Sequence, residues 1–265
     1  MTDSTSMPYR AETIPAGDTE LAGTPIEFHE LLSSTSDLAA VRLASAESGE
    51  VVVVADSQSA GRGRFARTWN SNPRDDVLVS IGLRPTADVA AKLAMIAAVA
   101  TADTVTKLTG QTAQVKWPND IRIEGKKISG ILIESQIQNG QFRVVLGIGL
   151  NLNLDPSVFP EIADIATSVR EITGQRVDRE VALNELMQNL DSAYTLVCRG
   201  GSVHTRWKAM LDTLGTHIEF NVHPTNEKVS GVATDVAPDG GLIVRTDDGE
   251  IVTLDSGEVT SQSPS

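Results

Sequence analysis

Residues 60–69 read Ala-Gly-Arg-Gly-Arg-Phe-Ala-Arg-Thr-Trp and follow closely on the apolar run Val51–Ala55. Arg62, Arg64, Arg67 and Arg74 fall within thirteen residues, in a chain whose net charge is −13. Glycine lets backbone come close to a ligand, and guanidinium forks grip phosphate or carboxylate oxygens two at a time. Such a loop suits a small polyanion. A second cluster is Lys116-Trp117-Pro118-Asn119-Asp120, and a third is Gly125-Lys126-Lys127-Ile128-Ser129-Gly130. Lys116 suits a phosphate, and Asp120 suits Mg²⁺, which usually takes one or two carboxylates together with substrate phosphates.

Each cluster has a plainer reading beside this one. Residues 61–66 formally match the dinucleotide fingerprint G-x-G-x-x-G/A. That motif must open a helix, whereas turn formers and Pro73 follow here. The loop is therefore either a mobile surface segment or a lid that orders over a charged ligand, with Trp69 as its apolar seal. The Lys-Trp-Pro-Asn-Asp string alone is compatible with a strand end and a turn. Lys126 and Lys127 sit at a hairpin, where lysines are usually solvated. Strand alternation puts them on opposite faces, so Lys127 can point along the sheet into a pocket. Gly147 and Gly149 read as bulges, or as room for a flat ring with Asn151 offering its amide to an adenine edge. Cys198 reads as a structural helix residue.

Bulk properties bound the rest. The 265 residues allow one large domain, or a large and a small one. With 22 basic against 35 acidic residues, a general nucleic-acid surface is not expected. A single cysteine excludes a disulfide framework within the chain and suits a reducing, cytoplasmic setting. No apolar run is read as reaching the ~20 residues of a membrane span.

The elements that must position these residues follow from pattern. Residues 1–25 are polar and broken by Pro and Gly, which predicts a disordered lead-in. A short strand is expected over 26–32, then a turn at Ser34-Thr35-Ser36-Asp37 feeding a helix through Ser45. Val51–Ala55 and Val77–Leu83 read as strands flanking the arginine loop at 56–75, and 88–108 as a long alanine-rich helix. A strand over 114–117, a hairpin of 121–123 with 127–134, and a strand-like run over 142–154 follow. Helices are expected at 161–172, 178–198 and 202–212. From Gly215 short β segments alternate with turns at 224–226, 238–241 and 247–249. That change predicts a boundary near 213 and a small barrel of five strands beyond it.

In combination the ordered motifs GRGRFARTW, KWPND, GKKISGILIE and GIGLNLN resemble the biotin protein ligases, also called biotin–[acetyl-CoA-carboxylase] ligases, over roughly 26–262. Ala66 stands where the family usually has glycine, and Ser36 where it has asparagine. The resemblance implies an α/β (α+β) fold, a mixed-sheet catalytic domain with packed helices (26–212), related to class II aminoacyl-tRNA synthetases. An SH3-like barrel (213–265) would follow. Some family members carry an N-terminal winged helix that represses biotin genes. The short polar lead-in here implies the monofunctional type, with no specific nucleic-acid partner and no membrane. A homodimer through sheet edges is known in the family.

The resemblance also implies the chemistry. Biotin and ATP are substrates with Mg²⁺, biotinyl-5′-AMP is the intermediate, and a lysine of a biotin carboxyl carrier protein or domain is the acceptor. Ser34, Thr35, Ser36 and Gln58 would hold the ureido head. Arg62, Gly63 and Arg64 would close over the ligand, and Gly130 and Ile131 would wall the biotin tunnel. Lys127 would sit at the reacting junction, with Arg64 near carboxylate and phosphate. Trp69 would cover the intermediate, Lys116, Asn119 and Asp120 would handle phosphates and metal, and Asn151 would face adenine. The alternatives are a lipoate or octanoate ligase or transferase of related fold, or a module that binds biotin without catalysis.

Overall fold

A computed structural model describes residues 14, 18–45, 50–138, 140–222, 227–255, 257 and 259–261. Its larger sheet is built on strands buried on both faces, β2 (Val51–Ala55) and β3 (Val77–Leu83). Val52 and Val54 face the main core, while Val51 and Val53 face a second cluster with Ala39 and Leu43 of helix α1 (Thr35–Ser45). This two-sided burial explains why β2 has no polar residue. The remaining strands are β1 (Ile26–His29), β4 (Gln114–Lys116), β5 (Asp120–Ile123), β6 (Lys126–Gln138) and β7 (Gln141–Leu150). They pair in the order β1-β2-β3-β7-β6-β5-β4. Only β1 with β2 is parallel, which makes the sheet mixed.

Helix α2 (Ala87–Thr109) and helix α4 (Arg179–Cys198) cover the main core. Thr86 caps α2 at one end and Gly110, at φ 71°, closes the other, while Asp88 and Lys107 complement the helix dipole. By length and composition α2 could cross a bilayer, but 67% of its apolar window is buried inside the protein. Short helices α3 (Val169–Thr173) and α5 (His204–Met210) complete the layer. The last five strands are β8 (His217–Val222), β9 (Glu227–Val236), β10 (Leu242–Thr246), β11 (Ile251–Leu254) and β12 (Val259–Ser261). They form an antiparallel sheet in the order β11-β10-β9-β8-β12.

Three expectations need correction. The described part of the lead-in is ordered: Leu21 is fully buried, and its amide donates to Asp191 Oδ1 at 3.0 Å. An apolar side chain in a polar stretch found a seat on α4, which composition averages away. The helix expected at 161–172 begins only at Val169, where Ser168 supplies the cap. The run 142–154 ends as a strand at Leu150, and its glycines are not bulges, since register is continuous on both sides of β7. The turn expected at 224–226 lies outside the described residues.

Candidate active site

The start of α1 and the middle of β3 build a pocket of hydroxyl groups. Ser34, Thr35 and Ser36 are all buried, and Thr35 and Ser36 lie 2.7 and 3.0 Å from the Ser80 hydroxyl. Gln58 Oε1 accepts from the Thr35 amide at 2.7 Å and from its hydroxyl at 3.1 Å. Hydroxyls and a carboxamide together offer donors and acceptors in a small volume. Gly147 keeps β7 clear of this group, because a methyl there would meet Ser36 Oγ at 3.0 Å.

Above this pocket the arginine loop is folded, not extended. The Gly63 amide donates to Arg67 O at 2.7 Å and the Trp69 amide to Gly61 O at 2.9 Å. A single 3₁₀ turn over Arg64–Ala66 forms the tip, with Phe65 at φ 55°. Arg62 pins the loop to the body, reaching Asp37 Oδ1 at 2.5 Å and Glu134 Oε2 at 2.9 Å. Arg64 donates to Asn119 Oδ1 at 3.3 Å, and Asn119 in turn donates to Ile131 O at 2.7 Å. Arg74 stands apart at the base, bonded to Asp56, and lines neither cavity described here. Asp56 also takes a 2.6 Å bond from buried Arg179.

Trp69 lies flat on the sheet. A methyl at Gly149 would meet its ring at 2.4 Å and one at Gly130 at 2.7 Å. The flat ring for which Gly149 makes room is thus the protein's own indole, whereas Gly147 faces the Ser36 hydroxyl instead of a ring. Lys127 Nζ lies 5.4 Å from that ring and 2.7 Å from Asp120 Oδ1. Lys126, one residue earlier, is exposed.

Two adjoining cavities result. The first, about 480 Å³ and open to solvent, is lined by Ser34, Thr35, Ser36, Gln58, Arg62, Gly63, Arg64, Lys127, Gly130 and Ile131, among others. The second, about 1290 Å³ and open to solvent, is lined by Trp69, Lys116, Asn119, Asp120 and Asn151, together with Arg122 and Phe65. Gly63, Arg64, Trp69, Asn119 and Lys127 border both and form the partition. Asn151 is buried; its Nδ2 donates to Thr167 O at 3.0 Å, while its Oδ1 has no hydrogen-bond partner among the described residues. A buried acceptor left open in this way is costly unless a ligand fills it.

The structure therefore brings every residue to which the resemblance gives a role to one of two cavities that meet. Sequence reading missed Ser80, although a lone serine in the apolar run VLVSIGL marks it. It also missed Asp37, Glu134 and Arg122, exposed or half-exposed charges with no local signal.

Comparison with known proteins agrees with this geometry. Residues 28–151 match the Biotin/lipoate A/B protein ligase family and residues 213–260 the Biotin protein ligase C terminal domain. The chain is 34% identical over 87% of its length to the Bifunctional ligase/repressor BirA of Bacillus subtilis, covering 72% of that protein. It is 31% identical over 79% of its length to the Biotin–[acetyl-CoA-carboxylase] ligase of Mycobacterium tuberculosis, covering 79% of it. In fold it is similar to a biotin protein ligase from Aquifex aeolicus in complex with biotin and ATP, with a TM-score of 0.76 and 24% identity, over 90% of this chain and 99% of that one. Motif order, two joined cavities and these likenesses converge, and the chain belongs to the biotin protein ligase family.

Proposed function

We infer that this protein is a biotin–[acetyl-CoA-carboxylase] ligase, which uses ATP to attach biotin to a lysine of a biotin carboxyl carrier protein. In the first step a biotin carboxylate oxygen attacks the α-phosphorus of ATP. The bond from the α-phosphorus to the bridging oxygen breaks, and pyrophosphate leaves. In the second, the acceptor amine attacks the carbonyl carbon of biotinyl-5′-AMP; AMP leaves and the nitrogen loses a proton. Neither step needs a protein nucleophile, only positioning and charge stabilisation.

The observation that carries this reading is the pair of cavities with opposite chemistry meeting at Lys127 and Arg64. In the first, Ser34, Thr35, Ser36 and Gln58 match the carbonyl and two N–H groups of a ureido ring, with Arg62 and Gly63 closing it and Gly130 and Ile131 walling it. Lys127 and Arg64 would hold the carboxylate and α-phosphate where they react. In the second, Lys116 and Asn119 would serve the phosphates, and the open Asn151 Oδ1 would accept from the adenine amine. Trp69 excludes water from the mixed anhydride.

Magnesium belongs to the same reading. Asp120 is the one carboxylate among the residues lining either cavity, and no cluster of three or more metal-binding side chains occurs among the described residues. That fits an ion held by Asp120 and, mainly, by substrate phosphates, where it would neutralise the triphosphate. An SH3-like arrangement of the five C-terminal strands, kinship of the mixed sheet with class II synthetases, and a division at 212/213 are also part of it. The separate five-stranded antiparallel sheet that begins at His217 supports the first and the last of these.

A lipoate ligase would set an apolar ring against Thr35, Ser36, Gln58 and Ser80, which disfavours that alternative. Exchange of labelled pyrophosphate into ATP, with biotin or lipoate, decides. Biotin-dependent exchange is expected. Lipoate-dependent exchange, or biotin binding without exchange, would overturn the reading.

A further inference from the structure

Resting on that reading, we propose that Arg122 is a further binding residue of the nucleotide cavity, taking the β- and γ-phosphates of ATP and the pyrophosphate they become. Register places it. Lys116 on β4 stands opposite Asp120 on β5, and Arg122, two residues on along β5, stands opposite Lys127 on β6. Ile121 and Ile123 between and beyond them are buried in the core, so Asp120 and Arg122 share the outward face. Four charged side chains thus tile one patch of sheet, three cationic and one anionic. The Arg122 side chain is 24% exposed and lines the second cavity, and its Nε is buried without a hydrogen-bond partner among the described residues. Its ion pair with Asp212 is long at 3.9 Å. A guanidinium held this loosely beside Lys116 can turn a fork toward a phosphate without breaking a tight native bond.

Position separates its role from that of Lys127. Lys127 borders both cavities, whereas Arg122 lines the nucleotide cavity alone. Arg122 therefore acts on the part of ATP that departs in the first step and is absent from the second.

The test compares the two half-reactions in Arg122→Gln, Arg122→Lys and Asp212→Asn/Arg122→Gln proteins. The first is biotin-dependent pyrophosphate exchange. The second is transfer from preformed biotinyl-5′-AMP to a carrier domain. For Arg122→Gln the KM for ATP and the inhibition constant for inorganic pyrophosphate should each rise about tenfold or more, the loss expected of one charged hydrogen bond. Transfer from the preformed adenylate should stay within about twofold, and lysine should restore part of the ATP affinity. Unchanged KM and pyrophosphate inhibition would overturn the proposal. An equal fall in both half-reactions with a lowered Tm would also overturn it, since Arg122 would then only support the fold. Recovery of ATP affinity in the double variant would do the same, by showing that Arg122 merely neutralises Asp212. Absence of exchange in the parent protein would instead refute the ligase reading and the proposal with it.

Discussion

Replacing Gly149 with alanine puts a methyl group where the indole of Trp69 now lies. The new carbon would stand 2.4 Å from Cε2 and 2.5 Å from Cζ2. Carbon atoms settle at about 3.5–4.0 Å, so the ring must retreat by roughly 1 Å or more. Trp69 rides on the loop, and the loop is held by Arg62 and Arg64, so the displacement lifts the lid. Overpacking of this kind costs about 1–3 kcal/mol. Assigned to the closed lid, that is about 5- to 150-fold fewer closed molecules. β7 itself should be undisturbed, because Gly149 is in register on both sides and lacks a positive φ. Two measurements follow: the rate of tryptic cleavage at Arg62, Arg64 and Arg67, and the rate at which biotinyl-5′-AMP escapes. Both should rise while the melting temperature barely moves. Parental cleavage and retention in the Gly149→Ala protein would refute the argument that the glycine exists to seat Trp69.

Other perturbations report on neighbouring groups. Arg64→Gly should leave adenylate synthesis partly intact but let the intermediate leak, at a loss of about 1.5–3 kcal/mol. Biotinylation of bystander lysines measures it, and retention equal to the parent's would exclude the role. Lys127→Ala should lower pyrophosphate exchange about 100-fold or more, and Lys126→Ala hardly at all, because only Lys127 reaches Asp120 and Trp69. Equal, mild effects would return both lysines to the solvated surface. Burial pushes the Asp76 carboxyl up to about 7, although the Leu152 amide bonds its Oδ1 at 2.8 Å. The folded protein then keeps this proton after the unfolded chain has lost it, so stability falls as pH rises from about 4 to 7 and levels off above. Asp76→Asn keeps an acceptor without titrating, so its melting temperature should depend less on pH in that window; an unaltered slope would show that another group is responsible.

How much of this is legible in sequence depends on what each residue reports. Val51–Ala55, Val77–Leu83 and the alanine-rich α2 announce themselves because a buried strand or helix needs continuous or periodic apolar residues. The motif residues are legible on different grounds: glycines interleaved with lysines and arginines give backbone access and positive charge together, which a packed core does not use. Residues that act through distant partners stay hidden. Arg62 meets Glu134 across 72 positions, and Ser80 meets Thr35 across 45. Such pairings are set by strand order, which no local pattern encodes. The lead-in misleads similarly, since nothing local marks Leu21, in a polar stretch, as a buried residue whose amide bonds Asp191 of α4. Gly149 signals room for a ring, which is right in kind, but nothing local says that the ring belongs to Trp69.

A ribosome delivers Trp117 well ahead of its partners. Its amide bonds Thr213, 96 positions later, and its indole N–H bonds the Gly240 carbonyl, 123 positions later. At the usual pace of synthesis the second acceptor arrives roughly 6–25 s after the tryptophan. Until then the stretch carrying Lys116, Asn119 and Asp120 lacks two of its anchors, although Ser34, Thr35, Gln58 and Ser80 of the hydroxyl pocket have already been made. On the proposed assignment, a growing chain holds the hydroxyl groups meant for one reactant before it has anchored the stretch meant for the other. With only one reactant held in place no mixed anhydride forms, so an unfinished chain has nothing reactive to release.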